Sequence, residues 1–244
     1  MEARREYGRG EYRLKGRPWW EKVFDLLYPA SCPGCNWGGE YGFCASCLAE
    51  IEPWALELGP DCKVYGAGIY RHPLRQALHL VKNKGQTYLV YALAALMARA
   101  LPKKYWTEEP IFCLPIPPTP SRRRRRGFHL PELLAKELVR QLPRSSYGSQ
   151  ILKLEHPLAE QKNLSAHERF LNVQGAYRSA PVPGAWVLLV DDVMTTGATL
   201  QAAIESLYEA GARRVEAVVA AISPYLQESD LPNYPLPTPS LRFS

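Results

Sequence analysis

The apolar residues of this chain follow two spacings, which predict an alternation of amphipathic helices and short buried strands. Apolar positions three and four residues apart indicate helices, which we expect over 19–28, 74–82, 87–100, 132–141 and 198–210. Short continuous or alternating apolar runs indicate strands, which we expect as a pair around 62–70 and singly at 111–114, 151–154, 186–190 and 215–222. This alternation is typical of an α/β protein with a parallel sheet.

The clearest unit lies near the carboxyl end of the chain. A buried strand at 186–190 leads into a polar turn at 191–197, then a helix closed by Gly211 and a second buried strand at 215–222. Two strands joined through a helix in this way lie parallel in one sheet. Because such sheets bind ligands at the carboxyl ends of their strands, we expect a binding site at the turn.

The turn carries two acidic residues and several threonines. Asp191 and Asp192 end the strand, and consecutive strand positions point in different directions. Gly197 lets the backbone approach a ligand closely, and the N–H groups that begin the helix form an anion site. A phosphate pocket beside acceptors for hydroxyl groups suits a ribose with a 5-phosphate. The predicted cradle consists of Asp191, Asp192, Thr195, Thr196, Gly197, Ala198 and Thr199.

A strand that ends in acidic residues also occurs in P-loop ATPases, where the acid holds magnesium. The chain contains no G-x-x-x-x-G-K-[ST] segment, so an acid in that role would have no phosphate loop to serve. The sequence therefore favours a phosphoribosyl ligand over a nucleoside triphosphate.

Four of the six cysteines form two C-x-x-C pairs, made by Cys32, Cys35, Cys44 and Cys47. A spacing of two residues lets both thiolates of a pair face one ion, and two pairs complete a tetrahedral Zn²⁺ site with no open position. Redox chemistry or disulfide pairing is the alternative, although no thioredoxin-like βαβ pattern surrounds either pair. We therefore predict structural zinc and interpret Cys62 and Cys113 as buried core residues.

Positive charge is concentrated in two stretches of a chain whose formal net charge is +6. Segment 1–18 is interpreted either as a solvated tail or as a functional arm. The loop after the strand at 111–114 contains five consecutive arginines, 122–126. Pyrophosphate, nucleic acid or an acidic partner surface would relieve the repulsion among these arginines, and a solvated basic loop is the remaining interpretation.

The chain shows no secretory signal, because Met1–Pro18 lacks an apolar segment. Its longest apolar stretch, 89–101, is interrupted by Arg99 and is too short to span a bilayer. We therefore expect a cytoplasmic protein that does not insert into membranes.

Residues Val187 to Leu200, VLLVDDVMTTGATL, resemble the motif of type I phosphoribosyltransferases nearly position for position. The resemblance implies that Asp191 and Asp192 contact the ribose 2- and 3-hydroxyls, while Thr195–Thr199 surround the 5-phosphate. Mg²⁺ would accompany the ligand and neutralise the leaving pyrophosphate. In that family a loop after an early strand holds the pyrophosphate, and the candidate contacts here are Pro115, Ile116, Arg122, Arg123 and Arg126.

The order of motifs along the chain extends this resemblance. The two C-x-x-C pairs precede YRHPLRQALHLVKNKGQ, then LPIPPTPSRRRRRGF, then QKNLSAHERFLNVQGAY and finally the acidic turn. This order resembles the ComF family, bacterial phosphoribosyltransferase-like proteins with an N-terminal zinc module that are associated with natural competence. His129 stands where that family often has asparagine after R-G-F.

The resemblance implies a type I phosphoribosyltransferase-like parallel sheet flanked by helices, with a small zinc-ribbon-like module before it. We expect a basic tail at 1–18, the zinc module at 19–60, the phosphoribosyltransferase-like domain at 61–223 and a proline-rich tail at 224–244.

Three functions follow from these expectations. The first is binding of phosphoribosyl pyrophosphate, or a related ribose 5-phosphate ligand, in a protein of DNA uptake with single-stranded DNA and a competence helicase as partners. The second is an active phosphoribosyltransferase, for which no acceptor site can be read. The third is a binding-only site that senses nucleotide status and regulates a partner.

Overall fold

The computed structural model describes residues 31–37, 42–58, 62–107, 109–119, 127–155 and 175–224. The predicted helix at 19–28, segment 1–18, the arginines at 122–126 and residues 225–244 lie outside this part of the chain. The described helices are α1 Ala45–Ala49, α2 Leu74–Lys84, α3 Leu89–Ala100, α4 Lys104–Thr107, α5 Leu130–Gln141 and α6 Ala198–Glu209. The described strands are β1 Trp54–Glu57, β2 Lys63–Gly66, β3 Ile111–Pro115, β4 Ser145–Tyr147, β5 Leu152–Leu154, β6 Tyr177–Ser179, β7 Trp186–Met194 and β8 Arg214–Ile222.

Six of these strands form one sheet in the order β1-β2-β8-β7-β3-β4. Only the edge strand β1 is antiparallel to its neighbour, and the other four pairings are parallel. Strands β5 and β6 form a separate antiparallel pair. The predicted α/β class with a largely parallel sheet is confirmed.

Helices cover both faces of the sheet, because alternate side chains of its strands are buried on opposite sides. On β7, Trp186, Leu188 and Val190 belong to a core shared with α2, α3 and α5. Val187 and Leu189 belong to a second core shared with α6. No helix in the described part of the chain is long and apolar enough to cross a membrane.

The helices predicted at 74–82, 87–100, 132–141 and 198–210 are confirmed as α2, α3, α5 and α6. Gly85 ends α2 in the left-handed conformation, with φ of 67°, which a glycine adopts without steric cost. Pro131 lies in the first turn of α5, where its missing N–H has no intrahelical partner to lose. These boundaries depend on local chemistry, which explains why the pattern located them.

The prediction that 62–70 forms a pair of strands is wrong. Strand β2 lies in this region, but its antiparallel partner is β1, which precedes it. The chain after β2 continues along β8 instead of turning back: Ala67 N donates to Val219 O, and Ile222 N donates to Gly68 O. Strand β8 extends past the end of β2, so its free backbone groups supply these partners and override the local pattern.

The turn predicted at 191–197 begins later than expected. Strand β7 continues through Met194, and its parallel ladder with β8 reaches the pair Met194↔Ile222. Asp191 is paired with Val219 in this ladder. The apolar β8 is nine residues long, so its backbone groups hold the acidic residues in a strand despite their polar side chains.

A buried carboxylate links β8 to its surroundings near the start of the strand. Glu216 is 2% exposed and accepts hydrogen bonds from Tyr65 at 3.1 Å, from Tyr105 at 2.6 Å and from Lys104 at 3.0 and 3.1 Å. Arg214 lies 3.0 Å from the same carboxylate. Burial alone raises the pKa of Glu216, but the hydrogen bonds from Tyr105 and Lys104 outweigh burial and bring the pKa below its usual value.

We expect Glu216→Gln to lower the free energy of unfolding by about 3 kcal/mol at pH 7, because it leaves the cationic partners of a buried group uncompensated. Urea denaturation measures this loss. A carboxyl whose pKa is lowered on folding stabilises the protein above its unfolded-state pKa and loses this effect as the pH falls through the folded-state pKa. The difference between wild type and variant should therefore shrink below about pH 4.

Glu155→Gln is the matched control, since it removes a carboxylate paired with Arg178 at 3.0 Å on the surface. The expected loss is below about 1 kcal/mol. Equal losses in the two variants would show that the buried position of Glu216 has no special weight.

Candidate functional site

The carboxyl ends of β3 and β7 lie side by side, and they carry residues from two predicted parts of the site. Pro115 pairs with Val190, and Ile116 N donates to Val190 O at 3.0 Å. The predicted pyrophosphate contacts Pro115 and Ile116 are therefore adjacent to the acidic pair. The other predicted contacts, Arg122, Arg123 and Arg126, lie outside the described residues.

The two carboxylates of the pair are held by different partners. Asp191 Oδ1 accepts a hydrogen bond from the backbone N–H of Asp192 at 2.7 Å. Asp192 Oδ2 lies 2.9 Å from Lys82 Nζ, in an ion pair that α2 contributes from one face of the sheet. Both acidic residues are half-buried, so neither is fully enclosed by the described residues.

Lys82 is the residue of this site that the sequence pattern did not reveal. It lies within the helix that the apolar spacing predicts, next to the buried Val81. No spacing along the chain indicates that this lysine reaches an aspartate more than a hundred positions later. In the sequence, nothing distinguishes it from the other polar residues of α2.

The threonine-glycine segment connects β7 to the amino end of α6. Thr195 is exposed, while Thr196 and Thr199 are half-buried. Gly197 has φ of 78°, and an added Cβ would stand 2.8 Å from Leu58 Cδ1 and 2.9 Å from Met194 Cε. A side chain there is thus disfavoured by both conformation and space.

Ala198 and Thr199 begin α6 directly after this glycine, which has no side chain with which to cap their N–H groups. The first N–H groups of a helix have no intrahelical partner and bear partial positive charge. Together with the nearby hydroxyls they form an arrangement suited to an anion such as phosphate.

The four paired cysteines converge in space. The Sγ atoms of Cys32, Cys35, Cys44 and Cys47 all lie within 4.8 Å of one another. The Sγ atoms of Cys35 and Cys44 are 3.7 Å apart, close to the edge of about 3.8 Å that a tetrahedron with Zn–S bonds of about 2.3 Å requires. All four are free thiols rather than disulfides. The donor set therefore fits a structural zinc ion.

Backbone N–H groups favour the thiolate form of Cys32, which is the form that binds a metal. Burial raises the pKa of Cys32, but N–H groups of Cys44, Cys35 and Gly34 outweigh it and lower this pKa to about 6. Cys44 N donates to Cys32 Sγ at 3.4 Å. Burial, followed by the neighbouring thiols, raises the pKa of Cys47, so metal binding must displace its proton.

The two other cysteines are core residues, as predicted. Cys62 is 1% exposed and Cys113 is fully buried. Burial raises the pKa of each thiol to about 12, so neither is a ready thiolate at neutral pH.

We expect the purified protein to contain about one zinc ion per chain, and Cys47→Ser to lose it. Because Cys47 lies in the same core as α2 and β7, this loss should lower the melting temperature by about 10 °C. Elemental analysis and thermal denaturation measure the two effects. Cys62→Ala is the control: a variant of this buried cysteine outside the cluster should keep its zinc, and zinc loss there too would contradict the assignment.

The chain matches two family models. A double zinc ribbon domain matches residues 23–79, and a phosphoribosyl transferase domain matches residues 126–231. The first match includes all four clustered cysteines, and the second includes the acidic pair and α6. A weaker likeness joins the chain to the crystal structure of TT1426 from Thermus thermophilus, with a TM-score of 0.35 and 22% identity over 55% of this chain and 74% of that chain. This likeness is too low to support a structural inference.

Curated relatives span most of the chain. DNA utilization protein YhgH of Salmonella typhi is 30% identical over 195 residues, which cover 76% of this chain and 81% of the relative. Proteins of the same name from Salmonella typhimurium and Escherichia coli K12 are 28% and 29% identical over 191 residues, with the same coverage. The chain thus combines a zinc ribbon with a phosphoribosyl transferase domain and resembles these relatives over most of its length. It belongs to the ComF family.

Proposed function

We propose that this chain binds phosphoribosyl pyrophosphate at the carboxyl edge of its sheet. The observation that carries this proposal is the adjacency of three parts: the end of β3, the acidic pair of β7 and the uncapped start of α6. Parallel sheets bind ligands at this edge. The matching phosphoribosyl transferase domain supports the same ligand class.

Each part has a chemical role in this proposal. Asp191 and Asp192 accept hydrogen bonds from the ribose 2- and 3-hydroxyls, since ionised carboxylates are acceptors only. Thr195, Thr196 and Thr199 and the N–H groups of Gly197 and Ala198 surround the 5-phosphate.

The pyrophosphate lies at the loop after β3. There Pro115 and Ile116 shape the backbone, while Arg122, Arg123 and Arg126 supply positive charge. Mg²⁺ bound with the ligand would neutralise part of the pyrophosphate charge.

Calorimetric titration with phosphoribosyl pyrophosphate and Mg²⁺ tests this assignment. We expect wild-type binding, and a loss of about 100-fold or more in affinity when Asp191→Ala and Asp192→Ala are combined, because two acceptors of the ribose disappear. ATP with Mg²⁺ should not compete, because the chain has no P-loop.

The control combines Glu57→Ala with Glu155→Ala, which removes the same charge from exposed positions. Unchanged affinity in this control separates the acceptor role from a general change of charge. Wild-type protein that gives no heat with the ligand, or an acidic-pair variant that binds as wild type does, would overturn the proposal.

We further propose that the chain acts in the handling of single-stranded DNA during uptake, together with a helicase partner. The relatives are named DNA utilization proteins, and the net charge of +6 with five consecutive arginines suits a polyanion. The arginine loop and the zinc module are the contact surfaces in this proposal.

Fluorescence anisotropy with a labelled single strand at several salt concentrations tests the DNA contact. Arg122, Arg123 and Arg126 changed together to serine should weaken binding and reduce the salt slope by about 2, at about 0.7 per phosphate contact on single strands. Serine at Arg140, Arg178 and Arg213 removes the same charge from the surface and should leave the slope unchanged. If the affinity for the single strand changes neither with salt nor with the loss of the loop arginines, this contact is excluded.

An active phosphoribosyltransferase is the second candidate function, and the adjacency of Ile116 to the acidic pair favours it. In such a reaction the acceptor forms a bond to the anomeric carbon as the bond to pyrophosphate breaks, and pyrophosphate leaves with the electron pair. The acidic pair would also stabilise positive charge on the sugar. Pyrophosphate release measured with a panel of bases and amines decides between this candidate and a site that only binds and regulates a partner.

A further inference from the structure

The ion pair between Lys82 and Asp192 joins the helix layer to the acidic pair of β7. The Nζ and Oδ2 atoms are 2.9 Å apart, and each side chain is 16% exposed. A pair this far from solvent is screened less than a surface pair. Removing one partner of such a pair also costs more than removing one at the surface. The contact is therefore able to fix the orientation of Asp192.

The body of α2 gives Lys82 a defined place. Its buried face consists of Leu74, Ala77, Leu78 and Val81, none more than 1% exposed. Residues 74 and 82 are about 12 Å apart along the helix axis at a rise of about 1.5 Å per residue. Because this face packs in the core shared with β7, the helix is held along its length between its two ends.

The amino end of α2 contacts the cysteine cluster. His72 Nε2 donates to the carbonyl oxygen of Gly34 at 3.1 Å. An added Cβ on Gly34 would stand 2.6 Å from Pro73 Cβ and 2.7 Å from Cys47 Sγ. The first C-x-x-C turn thus lies directly against the residue that precedes α2, with no space between them.

Two further contacts hold the segment after the second C-x-x-C pair to the same helices. Arg99 of α3 donates to Ile51 O at 2.7 Å. Leu74 Cδ1 and Ile51 Cγ2 meet at Gly68, where an added Cβ would stand 2.8 and 3.3 Å from them. The cysteine cluster and α2 therefore form one packed unit whose far end presents Lys82 to Asp192.

The position of Lys82 also matters for the charge of the site. Asp191 and Asp192 are consecutive, so two carboxylates must be presented to one ligand at close range. An ammonium in contact with one of them offsets their mutual repulsion. The carboxylate of Asp191 accepts instead from the backbone N–H of Asp192, so the two carboxylates contact different groups.

We propose that Lys82 is a positioning residue of the acidic pair and that the zinc-loaded cysteine cluster holds it in place through α2, so that zinc occupancy sets the affinity of the phosphoribosyl site. This proposal rests on the function proposed above for the acidic pair and the start of α6. It assigns Lys82 no contact with the ligand and makes the zinc module part of ligand binding.

Calorimetric titration with phosphoribosyl pyrophosphate and Mg²⁺ tests the role of Lys82. Lys82→Met should weaken binding by about tenfold or more, a usual size for coupling between sites, and Lys82→Arg should restore most of it. Lys84→Met is the matched control, since Lys84 is exposed on the same helix, and it should bind as wild type does.

A double-mutant cycle shows whether Lys82 acts through Asp192. In an Asp192→Asn background, Lys82→Met should cause no further loss of affinity. A full additional loss there would mean that Lys82 acts elsewhere, and wild-type affinity of Lys82→Met alone would remove its role altogether.

The zinc half of the proposal is tested by titrating zinc-loaded and chelator-treated protein side by side. Zinc removal should weaken binding of the same ligand as much as Lys82→Met does, and it should cause no further loss in that variant. Circular dichroism verifies that the treated protein remains folded. His72→Ala provides an independent arm, because it keeps all four cysteines and removes the contact with Gly34 O. We expect a loss of about threefold in affinity, a usual size for a mutation between two coupled sites.

If His72→Ala and the folded, zinc-free protein both bind the ligand as tightly as the wild type does, the link through α2 is refuted. If the zinc-loaded wild type does not bind the ligand at all, the proposed function fails and takes this inference with it. If wild type binds and Lys82→Met binds equally well, only the inference fails.

Discussion

The parallel ladder between β7 and β8 is the constraint on which the other features of the molecule depend. The two nine-residue strands are paired from Trp186↔Arg214 to Met194↔Ile222, and most of their side chains are buried on one face or the other. Because every backbone group buried there needs a partner, the ladder fixes where both strands end. It thereby carries the acidic pair to the edge of the sheet and sets the point at which α6 begins. Near the start of β8, the carboxylate of Glu216 accepts hydrogen bonds from two tyrosine hydroxyls and pairs with two cations.

The cysteine cluster belongs to the same packed interior as the sheet. Cys32 and Cys47 lie in the core that also contains Leu74, Leu188 and Val190. A metal that orders these cysteines therefore orders side chains that cover β7, which carries the acidic pair. In the described part of the chain, these two buried cysteines therefore belong to the helix layer over the sheet.

Strand geometry divides the acidic pair into two different groups. Adjacent strand positions point to opposite faces, and Asp192 meets α2 on one face through Lys82. Asp191 is held by the backbone of its own strand. Two chemically identical carboxylates thus have different partners, although nothing in the residue types themselves distinguishes them.

Much of the candidate site was predictable because it depends on local chemistry. The C-x-x-C spacing determines that two thiolates of a pair face the same ion, and the run from Trp186 through the threonines and Gly197 determines a strand, a turn and a helix start. The end of α2 at Gly85 and the start of α5 near Pro131 follow from the conformations that these two residues allow.

The tertiary structure decided what depends on partners distant in sequence. The pairing of β2 with β1, the extension of β7 through Met194 and the contact of Lys82 with Asp192 are each set by another segment of the sheet or helix layer. Apolar periodicity specifies which face of an element is buried, but it does not specify which neighbour covers that face. The sequence alone therefore determined the chemistry of the cysteine thiols and of the acidic pair, whereas packing determined that one helix contacts both.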